Sequence, residues 1–328
     1  MTLLITGGAG YIGSHAVYAA LDAGEKVAVV DDLSTGVREN LPPSLPFYQG
    51  DVGDAAFITD VLRRLRPQSV MHFAGSIVVP ESVENPLKYY QNNTVASLTL
   101  LRSCVEAGVE NFVFSSTAAV YGLPPDGVAD EDAPIRPINP YGASKAMIEQ
   151  MIRDVAQAHG LRYGILRYFN VAGADALGRT GQGSKNVSHL IKVACQVATG
   201  RRARLEIFGT DYPTPDGTCI RDYIHVSDLA DAHMGVLGAL VSKGESMTLN
   251  CGVGHGYSVR EVVRAVEEEM GGALPVVDAP PRAGDPPMLI SRSHRLRKNL
   301  GWNPRHPGIE DMVRSALRWE SGAVAASD

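Results

Sequence analysis

The sequence is poor in cysteine. Its four copies, Cys104, Cys195, Cys219 and Cys251, are too far apart to form a Cys-x-x-Cys pair. That spacing excludes a zinc ribbon and a thioredoxin-type redox motif, and scattered cysteines suit a reducing compartment. The nine histidines show no metal-ligand spacing either, so no metal is expected. Basic residues are in the minority, 30 against 36 acidic ones, for a net charge of −6. A general nucleic-acid binder would carry a basic stripe, so no nucleic-acid partner is expected, although a local pocket for a small anion is compatible with this balance. No run of about 18 apolar residues occurs, so no membrane span is expected. The opening residues Thr2-Leu3-Leu4-Ile5-Thr6 lack a basic segment and reach glycine at position 7; they read as a strand and not as a targeting signal. These absences predict a cytoplasmic globular protein.

What is present is apolar material and glycine. Hydrophobic residues make up 45% of the 328 positions and charged residues 20%, ample for a buried core. The length suggests two domains, or one large α/β domain with an addition. The 34 glycines form neither a collagen period nor a low-complexity run, so each has to be read in place.

In the first half, short apolar runs at 3–6, 26–31, 69–73 and 111–115 alternate with helix-like segments at 13–23, 55–66 and 86–107, and 162–166 reads as a further strand. Strand–helix alternation implies right-handed crossovers and a doubly wound parallel α/β sheet. After about residue 170 the pattern becomes irregular, with helical stretches at 259–270 and 309–319. The expected organisation is a nucleotide-binding domain over 1–170, with a later return near 221–240, and a smaller mixed α/β domain over 171–328.

The segment Thr6-Gly7-Gly8-Ala9-Gly10-Tyr11-Ile12-Gly13 runs from strand through a glycine turn into a helix. Glycines there permit a left-handed backbone and let the chain approach a pyrophosphate closely. The helix that follows points its N–H groups and dipole at phosphates. The second strand ends on Asp31, 18 residues past Gly13, where a carboxylate meets the ribose hydroxyls of an adenosine. A carboxylate at that point repels a 2′-phosphate, so the predicted cofactor is NAD rather than NADP.

Tyr141 and Lys145 lie four residues apart at the head of an apolar helical pattern, so they share a helix face. That pair suits proton transfer to or from a hydroxyl. A tyrosine with pKa near 10 costs roughly 4 kcal/mol to bring to about 7. One ammonium about 4 Å away supplies about that much at an effective dielectric of 20. Upstream, Ser115-Ser116-Thr117 ends an apolar strand, which puts hydroxyls at the carboxyl edge of the sheet, where ligands bind in such folds. Either Ser116 or Thr117 fits as a relay that shares a substrate proton with Tyr141; Thr117 is the preferred candidate.

Together, the glycine turn, the Tyr141/Lys145 pair and the strand-end hydroxyls resemble the extended short-chain dehydrogenase/reductase superfamily, and within it the NAD-dependent epimerase/dehydratase family. Blocks spread over nearly the whole chain carry the resemblance to its UDP-sugar 4-epimerases: His72-Phe73-Ala74-Gly75, Tyr89-Tyr90-Gln91-Asn92-Asn93, Leu166-Arg167-Tyr168-Phe169-Asn170, Arg221-Asp222-Tyr223-Ile224-His225 and Arg282-Ala283-Gly284-Asp285 among them. The resemblance implies a Rossmann-type domain with tightly bound NAD and a substrate-binding C-terminal domain. It implies interconversion of UDP-galactose and UDP-glucose by transient oxidation at C4, and a homodimer built on paired helices. By the same matching, Tyr141 is the base, Lys145 lowers its pKa and holds the cofactor, and Thr117 relays the proton. Gly7, Gly10, Tyr11, Ile12, Gly13, Asp31, Asp51, Val52, Phe73, Ala74, Gly75, Asn92, Ser115 and Phe169 join Tyr141 and Lys145 around the cofactor. Thr117, Asn170, Asn186, Phe208, Arg221, Arg282 and Asp285 hold the substrate. A doubly charged diphosphate also suits fork-shaped arginines on physical grounds.

There are departures from the family pattern. Ile77 stands where some relatives carry a lysine against the cofactor phosphate, and the loop over 173–186 is short. Leu289 occupies a position whose bulk bears on N-acetylated sugars, and it implies preference for the non-acetylated pair. Ala118 and Ala119 stand where a 4,6-dehydratase needs an acidic pair, which favours simple redox at C4. A UDP-xylose/UDP-arabinose or N-acetylated 4-epimerase remains an alternative. A non-catalytic NAD-binding regulator is a different class; the joint presence of Thr117, Tyr141 and Lys145 argues against it.

Overall fold

The computed structural model describes residues 2–183, 189–282 and 285–322. The first half supplies β1 (Thr2–Thr6), α1 (Tyr11–Asp22), β2 (Lys26–Asp31), β3 (Phe47–Gln49), α2 (Ala55–Leu65), β4 (Ser69–His72), α3 (Val79–Glu84), α4 (Pro86–Tyr89), α5 (Ala96–Glu106), β5 (Asn111–Ser115), β6 (Val128–Ala129), α6 (Pro140–His159), β7 (Arg162–Tyr168) and β8 (Asn170–Ala172). The second half adds α7 (Leu190–Ala198), β9 (Leu205–Phe208), β10 (Ile220–His225), α8 (Val226–Lys243), β11 (Met247–Cys251), β12 (Gly256–Ser258), α9 (Val259–Met270), β13 (Val276–Ala279), β14 (Met288–Ser291), α10 (His294–Leu300) and α11 (Ile309–Glu320).

Seven parallel strands form the main sheet, in the order β11-β7-β5-β4-β1-β2-β3. Successive residues of a strand face opposite sides, yet both faces here are buried, as in sheets covered by helices. Leu3, Ile5, Val27, Val29, Met71 and Val113 pack on the side of α1 and α8. Leu4, Ala28, Val30, Val70, Phe112 and Phe114 pack on the other side, with residues of α2, α5 and α6. The strand order reverses between β1 and β4, which makes the crevice beyond their carboxyl ends the natural ligand position.

A smaller sheet runs β12-β10-β14-β6, with β8 paired to β10, and β9 pairs with β13. Helices α7, α9 and α11 close the second core around Ile191, Ile207, Val262, Val266 and Met312. After the smaller sheet begins, the chain returns to the main sheet through α8 and β11. β10 belongs to the smaller sheet, whereas α8 packs on α1 and β11 pairs with β7. The single helix expected over 86–107 is α4 and α5 with a π-helical turn, Tyr90–Val95, between them.

Candidate active site

The glycine turn begins where β1 ends. Gly7 has φ +69°, and a Cβ there would lie 2.5 Å from the backbone nitrogen of Ala74. A Cβ on Gly13 would lie 2.1 Å from the carbonyl oxygen of Gly7. Side chains are therefore excluded from the place where β1, β4 and α1 converge. Gly10 caps α1 with no side-chain hydrogen bond, which leaves a helix N-terminus of the kind that binds phosphate. Asp31 is buried at the end of β2. Its carboxylate accepts the Ala9 N–H and the Leu33 N–H, each at 2.9 Å. Burial raises its pKa, and the two backbone donors oppose the rise.

A cleft of about 230 Å³ opens at this point. Its lining brings together Gly7, Gly10, Tyr11, Ile12, Gly13, Asp31, Asp51, Val52, Phe73, Ala74, Gly75 and Asn92, twelve of the residues expected around a cofactor. Sequence reasoning missed Tyr168, Glu81 and Lys88, which also line it. Tyr168 lies within the Leu166–Asn170 segment that resembles the family. Glu81 and Lys88 are seven residues apart on successive short helices, and their ion pair at 2.5 Å has no local sequence signal. Lys88 stands at the cleft that Ile77 enters without a charge. Asn92 donates to the Ser76 hydroxyl at 2.8 Å, and the Asn93 side chain accepts the Ser76 N–H at 2.7 Å. The π turn lets both asparagines reach the same loop; such turns are frequent at functional sites.

Beyond this cleft lie the reactive side chains. Asn139 caps α6, its side chain accepting the Gly142 N–H at 2.8 Å, and Pro140 occupies the first turn. In the same first turn, Tyr141 is buried and its hydroxyl bonds to Thr117. Burial pushes the phenol well above its ordinary pKa, and the Thr117 bond pulls it back in part. The Lys145 ammonium donates to the Ser115 carbonyl at 3.1 Å and lies 4.8 Å from the centroid of the Phe114 ring. Burial lowers its pKa to about 8, with Glu149 opposing the fall. Whereas the Tyr141/Lys145 spacing predicts a phenol brought down by the ammonium, burial dominates at Tyr141 and the Lys145 ammonium is committed to Ser115. Of the two candidate relays, Thr117 meets Tyr141, while the Ser116 hydroxyl donates to Glu149 at 2.6 Å. The Ser115 hydroxyl donates to Tyr168 at 3.1 Å, and Phe169 is buried against Ala118 and Val120, with Leu289 packed on the same cluster.

Leu289 ties this region to the smaller sheet, because it stands opposite Arg221 in the β10–β14 register. Arg221 pairs with Asp285 at 3.2 Å, and the Arg282 guanidinium sits 3.8 Å from the centroid of the Phe208 ring. Phe208, Arg221, Arg282 and Asp285 thus form two adjacent pairs. Asn170 opens β8 and bonds to the Tyr223 hydroxyl. Asn186 lies outside the described residues.

A three-layer sheet with a glycine turn at its switch point, and a buried tyrosine–lysine pair one turn apart beside a strand-end threonine, define a nucleotide-binding protein of the short-chain dehydrogenase/reductase class. Residues 3–252 match the model of the NAD dependent epimerase/dehydratase family, and the chain belongs to that family. It is 60% identical over 318 residues to the UDP-glucose 4-epimerase of Azospirillum brasilense, covering 97% of this chain and 91% of that one. The crystal structure of UDP-glucose 4-epimerase from Brucella ovis in complex with NAD matches with a TM-score of 0.94 and 41% identity over 98% of each chain. The Bifidobacterium longum UDP-glucose 4-epimerase, in complex with NAD+ and UDP, matches with a TM-score of 0.93 and 37% identity, again over 98% of each chain.

Proposed function

We propose that this chain is an isomerase that interconverts UDP-galactose and UDP-glucose by inversion at C4, with NAD as a bound cofactor. The observation that carries the reading is the buried Tyr141 hydroxyl bonded to Thr117, with Lys145 one helical turn on. The cradle at Gly7 and Gly13, which a Cβ would fill, fits a pyrophosphate, and Asp31 fits the adenosine ribose. Asp51 and Val52 would flank the adenine, Phe73, Ala74 and Gly75 would run along the cofactor, and Asn92 would reach its phosphates. Ser115, Lys145 and Phe169 would surround its nicotinamide end. Bound there, NAD would supply a reversible hydride acceptor for C4, and the overall reaction would be redox-neutral.

The protein residues handle the proton and the nucleotide. Tyr141 takes the proton of the 4-hydroxyl, with Thr117 as the bridging hydroxyl, and gives it back after the sugar has turned. This requires the phenol to ionise against its burial, which needs positive charge nearby. Lys145 supplies part of that charge. Arg221 and Arg282 clamp the diphosphate, Phe208 carries the uracil ring, Asp285 holds the uridine ribose, and Asn170 and Asn186 complete the nucleotide contacts. In this structure the two arginines are already paired with Asp285 and Phe208, so the diphosphate competes for cations that have partners. Leu289 sets a preference for the non-acetylated sugars.

The same reading divides the chain into a cofactor domain over 1–170, joined again near 221–240, and a substrate domain over 171–328. It places the protein in the cytoplasm; no helix among the described residues is long and apolar enough to cross a membrane. It also pairs two copies through the α4–α5 segment and α6, where Leu87 on α4, Val95 in the π turn, Leu98 on α5 and Met147 on α6 are exposed. The test is purified protein with UDP-galactose and no added cofactor. UDP-glucose should form without net NADH; a 4-keto-6-deoxy product, or no conversion, would overturn the assignment.

A further inference from the structure

Tyr141, Lys145 and Glu149 are spaced by four along α6, so they stack on one face of the helix. Glu149 is 1% exposed and its two oxygens are crowded with donors. Oε1 accepts the Ser116 hydroxyl at 2.6 Å and Arg167 Nε at 2.9 Å. Oε2 accepts the second branch of Arg167 at 2.5 Å and Arg153 at 2.8 Å. Arg167 continues the chain of bonds to the Tyr121 hydroxyl at 2.9 Å, and Tyr121 donates to Asn250 at 2.6 Å. One carboxylate therefore ties α6 to the end of β5 and to β7, and through Arg167 and Tyr121 to β11.

Such a network stabilises little by itself. A buried ion pair roughly breaks even against apolar packing, because both charges lose their water. Its placement points to another use. Ser116 lies between Ser115, whose carbonyl receives the Lys145 ammonium, and Thr117, which meets Tyr141.

We propose that Glu149 is a positioning residue for the tyrosine–lysine pair: its carboxylate keeps the buried Lys145 charged and fixes the Ser115–Thr117 segment against which Lys145 and Tyr141 are held. The inference rests on the reading of Lys145 given under Proposed function. Around Lys145 stand Glu149 on its own helix, the Ser115 carbonyl and Phe114 ring on β5, and the neutral His72 on β4. Around Glu149 stand Arg153 on α6, Arg167 on β7, and Ser116 after β5; Tyr121 bonds the far side of Arg167. Glu149 is the only carboxylate in this set. It opposes the burial that has already brought Lys145 to about 8. Without it the ammonium would lose its proton at still lower pH, and its charge would no longer act on Tyr141.

The test uses full-length protein purified with its cofactor, in the variants E149Q, E149L with R167L, and S116A. The double variant guards against misfolding, since apolar replacement of a whole buried pair is often neutral, whereas breaking it is costly. The lysine Cε carbon signal, assigned with K145M, is titrated alongside the pH profile of kcat. In E149Q and in the double variant the lysine should titrate about one pH unit lower, and kcat at pH 8 should fall about fivefold while KM changes little. S116A should keep the lysine titration of the parent. A lysine titration unmoved in the folded double variant overturns the proposal. A uniform loss of rate with no movement of the alkaline limb or of the lysine also overturns it, because it reduces Glu149 to a structural strut. If the lysine moves and the rate profile does not, the hold of Glu149 on Lys145 stands and the role given to Lys145 fails.

Discussion

Burial alone would make Tyr141 a poor base at neutral pH. The phenol is pushed up, and Thr117 offsets this only in part. The ionised form has to be stabilised by positive charge close by, which is the role proposed for Lys145. Tyr141→Phe removes the proton acceptor and little else. It should keep the fold and the bound NAD while turnover falls by about 10²–10⁴-fold, the range for general acid–base groups. Near-normal kcat in a steady-state assay would remove Tyr141 from the role of base. At this scale the sequence was informative because the pair is local: four residues on one helix define a face without any knowledge of the fold. The same local logic could not separate Ser116 from Thr117. Their difference is set by Glu149, 33 residues away on a helix that packs beside the strand end. Nor could it show Arg282 over Phe208 or Arg221 against Asp285, contacts that span 64 residues or more.

Among elements, α6 carries both side chains proposed for the chemistry, and its first turn depends on one cap. Asn139→Ala should cost about 1 kcal/mol of stability and lower kcat with KM nearly unchanged, since Tyr141 stands in the turn that would fray. Denaturant unfolding together with steady-state kinetics checks this; an unchanged kcat would detach the cap from the site. Strands with clean apolar runs were legible to the residue: Lys26–Asp31 and Asn111–Ser115 form as expected. Two strands of the main sheet were not. β3 has only three residues, and β11 sits in the irregular second half, where Thr248 and Asn250 dilute its apolar signal. The helix expected over 86–107 is interrupted because Asn92 and Asn93 bond Ser76 across the cleft, a tertiary demand that periodicity cannot report.

For the whole molecule, five histidines lowered by burial, His189 among them, make stability pH-dependent. Burial lowers His15 and His233 to about 4, and His72 and His225 to about 3. In the unfolded chain each binds its proton near 6.5. Stability is therefore full above that value and falls as the pH drops from about 6.5 toward 4, by about 1.4 kcal/mol per histidine per pH unit. The urea midpoint should drop steeply between pH 6.5 and 5, and a flat profile would contradict it. The apolar stripe of Leu87, Val95 and Leu98 belongs to this scale as well. Sedimentation should find the parent as a dimer and the Leu87→Asp/Leu98→Asp variant as a monomer; a monomeric parent would remove the pairing. The order of the main sheet has a consequence for how the protein is made. The edge of β7 receives its last partner, β11, only after about 80 further residues have been added. At about 5–20 residues per second, a nascent chain on the ribosome carries an open strand edge for several seconds, with the smaller sheet still being laid down. A pause in translation ahead of residue 247 would lengthen that window and expose the half-built protein to edge-to-edge aggregation.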